Sequence, residues 1–193
     1  MVTALPFLQV PVWIEVRYRS DMVSIRAAVA EDAVAIAHVH VESWRTTYAG
    51  IVPDGYLAGL DESLRVKLWQ EWLSGDTVIL VAERKGEVVG FAHAGTIREA
   101  VESADAELYS LYLLREAQGR GMGRALLKEA AYALQQRGYK GLALWVLERN
   151  RSRLFYEKCG GRLANSKVIE IGGARLMEVA YWWPDLTGLI EAD

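Results

Sequence analysis

A glycine-rich segment, Gln118 to Arg124, carries the clearest chemical signal in the sequence. It reads Gln-Gly-Arg-Gly-Met-Gly-Arg, and it lies between an apolar run that ends at Leu114 and an amphipathic run that continues to Gln136. A glycine-rich turn between a strand and a helix presents several backbone N–H groups at the positive end of the helix dipole, where phosphate groups bind. The segment therefore predicts a binding site for a phosphorylated ligand.

The turn matches neither of the two common nucleotide-binding patterns. A Walker A loop needs Gly-Lys-Ser/Thr, and the dinucleotide fingerprint G-x-G-x-x-G requires a glycine where Arg124 stands. Gly121 and Gly123 lack the β-carbon that would block close approach to the backbone, while Arg120 and Arg124 add charge that favours an anion. The alternative, a plain turn packed tightly by its glycines, rarely carries several glycines and arginines together.

Composition limits the classes of protein to which the chain can belong. With 193 residues, of which 52% are hydrophobic and 24% charged, it fits one globular domain with a sizeable core. The net charge of −3 argues against nucleic acid or an anionic membrane as a partner, because both require clustered Lys and Arg. Cys159 is the only cysteine, so we expect no internal disulfide and a cytoplasmic location. With three scattered histidines, the sequence predicts no metal site.

The N-terminal residues are set apart from the regular pattern that begins at Val23. The first fourteen residues are apolar, but they contain prolines and lack a basic start, so neither a signal peptide nor a membrane span is predicted. Alternation from Val12 to Arg19 indicates an extra edge strand, and an equally open interpretation places the natural start at Met22. We predict an extension, residues 1–21, followed by one domain, residues 22–193.

Hydrophobic periodicity predicts the elements that position the glycine turn. The predicted strands are residues 23–27, 77–84, 87–96, 106–114, 141–147, 167–171 and 174–182. The predicted helices are residues 31–47, 64–73, 125–137 and 150–158. The strand before the turn, the helix after it and the strand at 141–147 form a crossover, so these two strands should lie parallel.

Two motifs in this order resemble one known family. Gln118-x-x-Gly121-x-Gly123 follows a strand, and Asn150-x-x-x-Leu154-Phe155-Tyr156-Glu157-Lys158-x-Gly160 follows the crossover. Together with the order of elements from Val23 to Trp182, they resemble the GCN5-related N-acetyltransferase (GNAT) superfamily. The resemblance implies an α/β (α+β) fold of one domain. Its central sheet would be mixed, largely antiparallel and twisted, with about seven strands, about four flanking helices and a splayed cofactor site.

The resemblance also implies acetyl-coenzyme A as co-substrate and no metal. The pyrophosphate would lie on the glycine turn, and the pantetheine arm would lie along main-chain groups of the preceding strand, one of whose N–H groups would polarise the thioester carbonyl. The implied cofactor-binding residues are Leu111, Tyr112, Leu113, Gln118, Gly119, Arg120, Gly121, Met122, Gly123, Arg124 and Asn150. Asn150 is equally a helix N-cap by residue type, and both interpretations can hold.

The resemblance assigns two residues to proton transfer. Tyr156 would be the general acid that protonates the departing thiolate, and Glu107 the general base for an acceptor amine whose pKa is about 10. Glu148 is the reserve base. A buried aromatic and an exposed strand-end carboxylate are the structural alternatives for Tyr156 and Glu107. Trp44 and Tyr48 would line the acceptor pocket or pack as an aromatic face in the core.

The implied activity is transfer of an acetyl group to a primary amine by direct attack in a ternary complex. A small-molecule acceptor is favoured over a protein acceptor. The open alternative is a non-catalytic acyl-coenzyme A sensor or interaction module on the same fold. A nucleotide hydrolase or oxidoreductase lacks the motif residues it would need. The aromatic segment from Tyr181 to Trp183 is compatible with a homodimer or with a packed core edge.

Overall fold

The computed structural model describes residues 14–18 and 21–191. The strands are β1 (Ile14–Tyr18), β2 (Asp21–Ala27), β3 (Val78–Arg84), β4 (Glu87–Thr96), β5 (Ala106–Leu113), β6 (Leu142–Leu147), β7 (Arg162–Ile171) and β8 (Ala174–Trp183). The α-helices are α1 (Ala33–Thr47), α2 (Asp54–Ala58), α3 (Glu62–Leu73), α4 (Met122–Gln136), α5 (Arg153–Lys158) and α6 (Leu186–Glu191). Single 3₁₀ turns, Ala30–Asp32 and Arg115–Ala117, precede α1 and follow β5.

All of these strands join one sheet in the order β1-β2-β3-β4-β5-β6-β8-β7. Every neighbouring pair is antiparallel except β5 and β6, which are parallel and connected through α4. The predicted α/β class, with a mixed and largely antiparallel sheet, is therefore confirmed. Within the described residues the sheet has eight strands, since β1 pairs with β2, and the short helices α2 and α6 add to the predicted four.

The predicted N-terminal edge strand is described only in part. Its residues Ile14–Tyr18 form β1, whereas Val12, Trp13 and Arg19 lie outside the described residues. The division at residue 22 and the natural start of the chain stay predictions.

The two faces of the sheet are covered by different helices. On one face lies α4, whose buried side chains recur at helical spacing, as an amphipathic helix requires: Leu126, Leu127 and Leu134. On the other face lie α1 and α3, which bury Ile36 and Trp69 against Phe91 of β4. The hydrophobic core is thus double, with the sheet between its two halves.

The sheet opens at its centre, between β5 and β6. The two strands pair only at Ala106↔Leu142 and Glu107↔Ala143, and they separate beyond these residues. A β-bulge on the other side of β5 leaves Tyr109 as the extra residue between the pairs Ala94↔Leu108 and His93↔Ser110. A bulge bends its strand and increases the local twist, which directs β5 away from β6. The predicted splay is confirmed, and α4 begins beside it.

Candidate active site

The glycine turn adopts a backbone conformation that its sequence favours. Gly119 and Gly121 have φ angles of 70° and 84°, in the left-handed region where glycine carries no steric cost. Gly121 directly precedes α4, and no side chain caps the start of that helix. The first backbone N–H groups of a helix have no intrahelical acceptor, so those of Met122 and Gly123 are available to an anion.

Gln118 connects the glycine turn to the end of β5. Its side-chain amide donates a hydrogen bond of 2.9 Å to the carbonyl oxygen of Leu113, which also accepts one of 3.3 Å from the Ser43 hydroxyl on α1. Because β6 no longer pairs with β5 here, the β6-facing main chain of β5 has no strand partner from Leu108 onward. An unpaired strand edge next to uncapped helix N–H groups suits an extended ligand with an anionic end.

A cavity of about 510 Å³ occupies the gap between the diverging strands. Most of the predicted site residues line it: Tyr48, Leu111, Tyr112, Leu113, Gln118, Gly119, Gly121, Gly123, Arg124, Asn150 and Tyr156. Five predicted residues lie outside the lining: Trp44, Glu107, Arg120, Met122 and Glu148. The side chain of Met122 is buried in the core beneath α4, so only its backbone can serve a ligand.

Tyr156 presents its hydroxyl group to this cavity from α5. The residue is 7% exposed, and none of the described residues forms a hydrogen bond with the hydroxyl. Burial, together with the nearby Tyr48, raises the pKa of this phenol, so it holds its proton at neutral pH. A protonated phenol without a protein partner can donate its proton to a ligand in the cavity.

A polar network fixes α5, and with it Tyr156, against β8. The Arg153 Nε donates a hydrogen bond of 3.1 Å to the Tyr181 hydroxyl, which in turn donates to the Glu157 carboxylate. Arg153 Nη1 also donates to the Glu148 carbonyl oxygen at 3.0 Å. The side chain of Glu148 itself is exposed, and its role as a reserve base stays a prediction.

Asn150 closes the turn that leads into α5. Its Oδ1 accepts a hydrogen bond of 2.9 Å from the Ser152 N–H, while the side chain is buried at the cavity wall. This bond is of the capping type, but α5 begins only at Arg153. The structural and the ligand-binding interpretations of Asn150 are therefore compatible.

Glu107 is deeply buried and held by one partner. Its Oε2 accepts hydrogen bonds from the Arg98 backbone N–H at 3.0 Å and from Arg98 Nε at 3.2 Å, and its Oε1 pairs with the same guanidinium. The residue is 2% exposed, so it is not the exposed strand-end carboxylate of the structural alternative. Its role as general base stays a prediction.

The aromatic residues of α1, and Tyr48 directly after its last residue, divide between the cavity and the core. Tyr48 lines the cavity, and its hydroxyl lies 3.1 Å from that of Tyr112, whereas Trp44 packs behind Tyr48 at a ring distance of 4.8 Å. His40 stacks on Tyr112 and accepts a hydrogen bond of 3.3 Å from Trp69 Nε1. Burial lowers the pKa of His40 to about 3, so the imidazole is neutral.

Sequence reasoning missed three residues on the α1 side of the sheet. Trp145 of β6 lines the cavity, Arg98 pairs with Glu107, and Glu178 interrupts the apolar residues of β8. Only Glu178 could have been noticed in the sequence, because it is a charged residue among the apolar residues Leu176 to Trp183. Trp145 and Arg98 reach the site only through tertiary contacts, which local sequence patterns do not reveal.

Two kinds of feature are absent from residues 14–18 and 21–191. No helix there combines the length and apolar character that crossing a membrane requires. No group of three or more His, Cys, Asp or Glu residues is arranged there to hold a metal ion.

Comparison with known proteins gives concordant results. The model of the "Acetyltransferase (GNAT) family" matches residues 37–161. The uncharacterized N-acetyltransferase YuaI of Bacillus subtilis is 44% identical over 168 residues, which cover 87% of this chain and 96% of the relative. The spermidine N(1)-acetyltransferase of Thermoplasma acidophilum is 28% identical over 82% of this chain and 98% of its own. The crystal structure of the PaiA N-acetyltransferase of the same organism, in complex with coenzyme A, superposes with a TM-score of 0.59 at 25% identity. It covers 81% of this chain and 97% of that one.

Proposed function

Since the chain belongs to the acetyltransferase (GNAT) family and is an N-acetyltransferase, we propose that it transfers an acetyl group from acetyl-coenzyme A to a primary amine. Attack by the amine would be direct, in a ternary complex. The observation that carries this proposal is the single cavity that the glycine turn and the Tyr156 hydroxyl share. Family membership decides between an enzyme and a non-catalytic sensor in favour of the enzyme.

The residues of the cavity fit a long ligand with an anionic end. The uncapped N–H groups at the start of α4 and the charge of Arg124 suit a pyrophosphate, and the unpaired edge of β5 suits an amide-containing arm. When bound, acetyl-coenzyme A supplies the activated acetyl group. A backbone N–H of Leu111, Tyr112 or Leu113 would donate to the thioester oxygen, and Asn150 would contact the arm.

Tyr156 would supply the proton that the departing thiolate needs. Its raised pKa keeps the phenol protonated until a thiolate forms nearby, and no described residue competes for its proton. The acceptor must arrive as a free amine or lose a proton on the enzyme, because an alkylamine with a pKa of about 10 is protonated at pH 7. Glu107 is the predicted base that takes this proton from the amine.

A small amine is the favoured acceptor. The relative from Thermoplasma acidophilum is named for spermidine, which supports this class without identifying the compound. Protein N-termini stay an alternative. A homodimer and a cytoplasmic location are also predictions, which light scattering and localisation of the tagged chain would test.

The proposal is tested by the release of free coenzyme A thiol from acetyl-coenzyme A. The full chain would be incubated with a panel of primary amines and of peptides with free N-termini. We expect thiol release that depends on the amine and acetylated product of matching mass. Tight binding of acetyl-coenzyme A in calorimetry, without amine-dependent release for any acceptor, would refute it.

A further inference from the structure

Glu178 lies on the sheet face that α1 and the following loop cover. It is opposite Leu147 of β6 and opposite Lys167 of β7 in the strand register, so these side chains share one face. Leu147 packs there with Tyr48 and Val52. Glu178 is therefore a half-buried carboxylate on the α1 side of the sheet, next to this apolar cluster and just outside the residues that line the cavity.

The charges around Glu178 are not balanced. Five charged side chains interact in this region: Arg98, Glu99, Glu107, Lys167 and Glu178. Arg98 pairs with Glu107, and Lys167 pairs with Glu99. No hydrogen bond or ion pair joins the side-chain carboxylate of Glu178 to any residue that the structure describes. Two cations thus face three carboxylates, and Glu178 is the carboxylate without a partner among them.

Glu178 is also close to two residues of the cavity wall. Trp145 lies on the same face of β6, two residues before Leu147, and Lys167 Nζ stands 3.9 Å from the centre of its indole ring. The charge of Glu178 contributes to the raised pKa of Tyr48, so the two groups are near enough to interact. An ammonium group entering between Tyr48 and Trp145 would meet aromatic faces and one unpaired carboxylate, which together favour a cation.

We propose that Glu178 binds the ammonium group of the acceptor and takes its proton, an inference that rests on the proposed function. The proton leaves the amine nitrogen for a carboxylate oxygen of Glu178. The nitrogen keeps the electron pair, which forms the new C–N bond as the C–S bond breaks. Tyr156 gives its proton to the sulfur and regains one from the nitrogen, which loses its second proton once the C–N bond has formed. Glu178 then returns the first proton to solvent.

Glu178 is better placed for this task than Glu107. Neither residue is part of the cavity lining, but both oxygens of Glu107 already accept hydrogen bonds from Arg98, whereas the Glu178 carboxylate has no such partner among the described residues. Burial raises the pKa of Glu178, an effect that Glu107 and Glu99 reinforce and that Lys167 and Arg98 oppose. A carboxyl group with a raised pKa is the stronger proton acceptor near neutral pH.

The deciding experiment compares Glu178→Gln with Glu107→Gln in the full chain. The value of kcat/KM is measured from pH 6 to pH 10 with a cationic amine that the acceptor screen identifies. The wild type should reach a plateau below the pKa of the amine. The kcat/KM of Glu178→Gln should be about 1,000-fold below that of the wild type at pH 7, rise about tenfold per pH unit, and approach the wild type near pH 10, where the amine is free without help.

Controls separate this effect from misfolding and from failure of the proposed function. The affinity for acetyl-coenzyme A should stay within about twofold in Glu178→Gln, and Glu170→Gln, an exposed carboxylate on β7, should keep the wild-type profile. If Glu178→Gln does not fold, Lys167→Gln decides. Loss of that cation should move the acid limb of the profile to higher pH, because Lys167 lowers the pKa of Glu178.

The remaining outcomes are distinct. A wild-type profile in Glu178→Gln would overturn the inference, and the expected loss in Glu107→Gln alone would assign the proton to Glu107. An unmoved acid limb in Lys167→Gln would overturn it as well. A wild-type enzyme that releases thiol with no amine at all would instead refute the proposed function.

Discussion

The two ends of the cavity are built in different ways. The end at the glycine turn consists of backbone: two glycines with positive φ, an uncapped helix start and an unpaired strand edge. The end at α1 consists of side chains from several elements, such as Tyr48 directly after α1 and Trp145 of β6, with Glu178 of β8 beside this lining. The first end depends on a short continuous segment, whereas the second depends on contacts between residues far apart in the chain.

The two ends also differ in charge. Arg124 and the start of α4 make the glycine turn positive, while Glu178 leaves the α1 end with an unpaired negative charge. An anionic group of the donor would therefore be drawn to the glycine turn, and an ammonium ion of the acceptor to the α1 end. The difference predicts that variants at the turn change the affinity for the acetyl donor, and that variants at the α1 end change catalysis or stability.

The largest effect is expected from Gly121→Asp. The new carboxylate would face the anion at the start of α4, so the Kd of acetyl-coenzyme A should rise on the order of 1,000-fold in calorimetry. Gly138→Asp is the matched control, since Gly138 has a φ of 89° and a β-carbon there meets no atom within 4 Å. The control carries the same backbone strain outside the cavity. Equal affinities in the two variants would mean that the turn does not hold the pyrophosphate.

Tyr156→Phe should affect turnover and not donor affinity. Loss of the proton donor should lower kcat about 100-fold, while the Kd of acetyl-coenzyme A changes by less than about twofold. Tyr132→Phe, at an exposed site on α4, is the control and should keep full activity. Steady-state thiol release and calorimetry measure the two quantities. A fully active Tyr156→Phe variant would remove this hydroxyl from the mechanism.

The same contrast explains how much could be predicted from the sequence. The crossover and the glycine turn follow from local patterns, because helix periodicity and turn chemistry act over a few residues, whereas Tyr156 was identified only by the family resemblance. The Arg98–Glu107 pair could not be predicted, since it forms only where β5 and the loop after β4 meet. Periodicity predicted a helix over residues 64–73 from apolar side chains on one face, but in α3 Leu64 is 59% exposed and only Trp69 is fully buried. Periodicity identifies a face, but the tertiary packing decides how much of it is covered.

Glu107→Gln should lower stability more than donor affinity. The amide cannot replace a buried carboxylate that accepts three hydrogen bonds from Arg98, so the free energy of unfolding should fall by about 2 kcal/mol. Urea denaturation measures this loss. The control is Glu102→Gln, at an exposed position in the loop between β4 and β5 that also contains Arg98, and it should not change the stability. An unchanged stability would mean that the pair does not support the α1 end. An unchanged Kd for acetyl-coenzyme A is expected throughout.

The smallest effect concerns pH and the aromatic packing behind Tyr112. The pKa of His40 falls from about 6.5 in the unfolded chain to about 3 in the folded protein, so the unfolded chain binds more protons between these values. The contribution of His40 to stability is therefore complete above pH 6.5 and is lost as the pH falls toward 3. Between pH 7 and pH 5.5 this loss should reach about 1 kcal/mol, measured by urea denaturation at each pH. His93, whose pKa burial lowers to about 4, adds a second loss of stability of the same sign.

His40→Gln should remove its share of the dependence of stability on pH, whereas His38→Gln, at the exposed surface of α1, should leave the slope unchanged. Identical slopes in both variants would show that the neutral imidazole of His40 does not support the α1 end of the cavity.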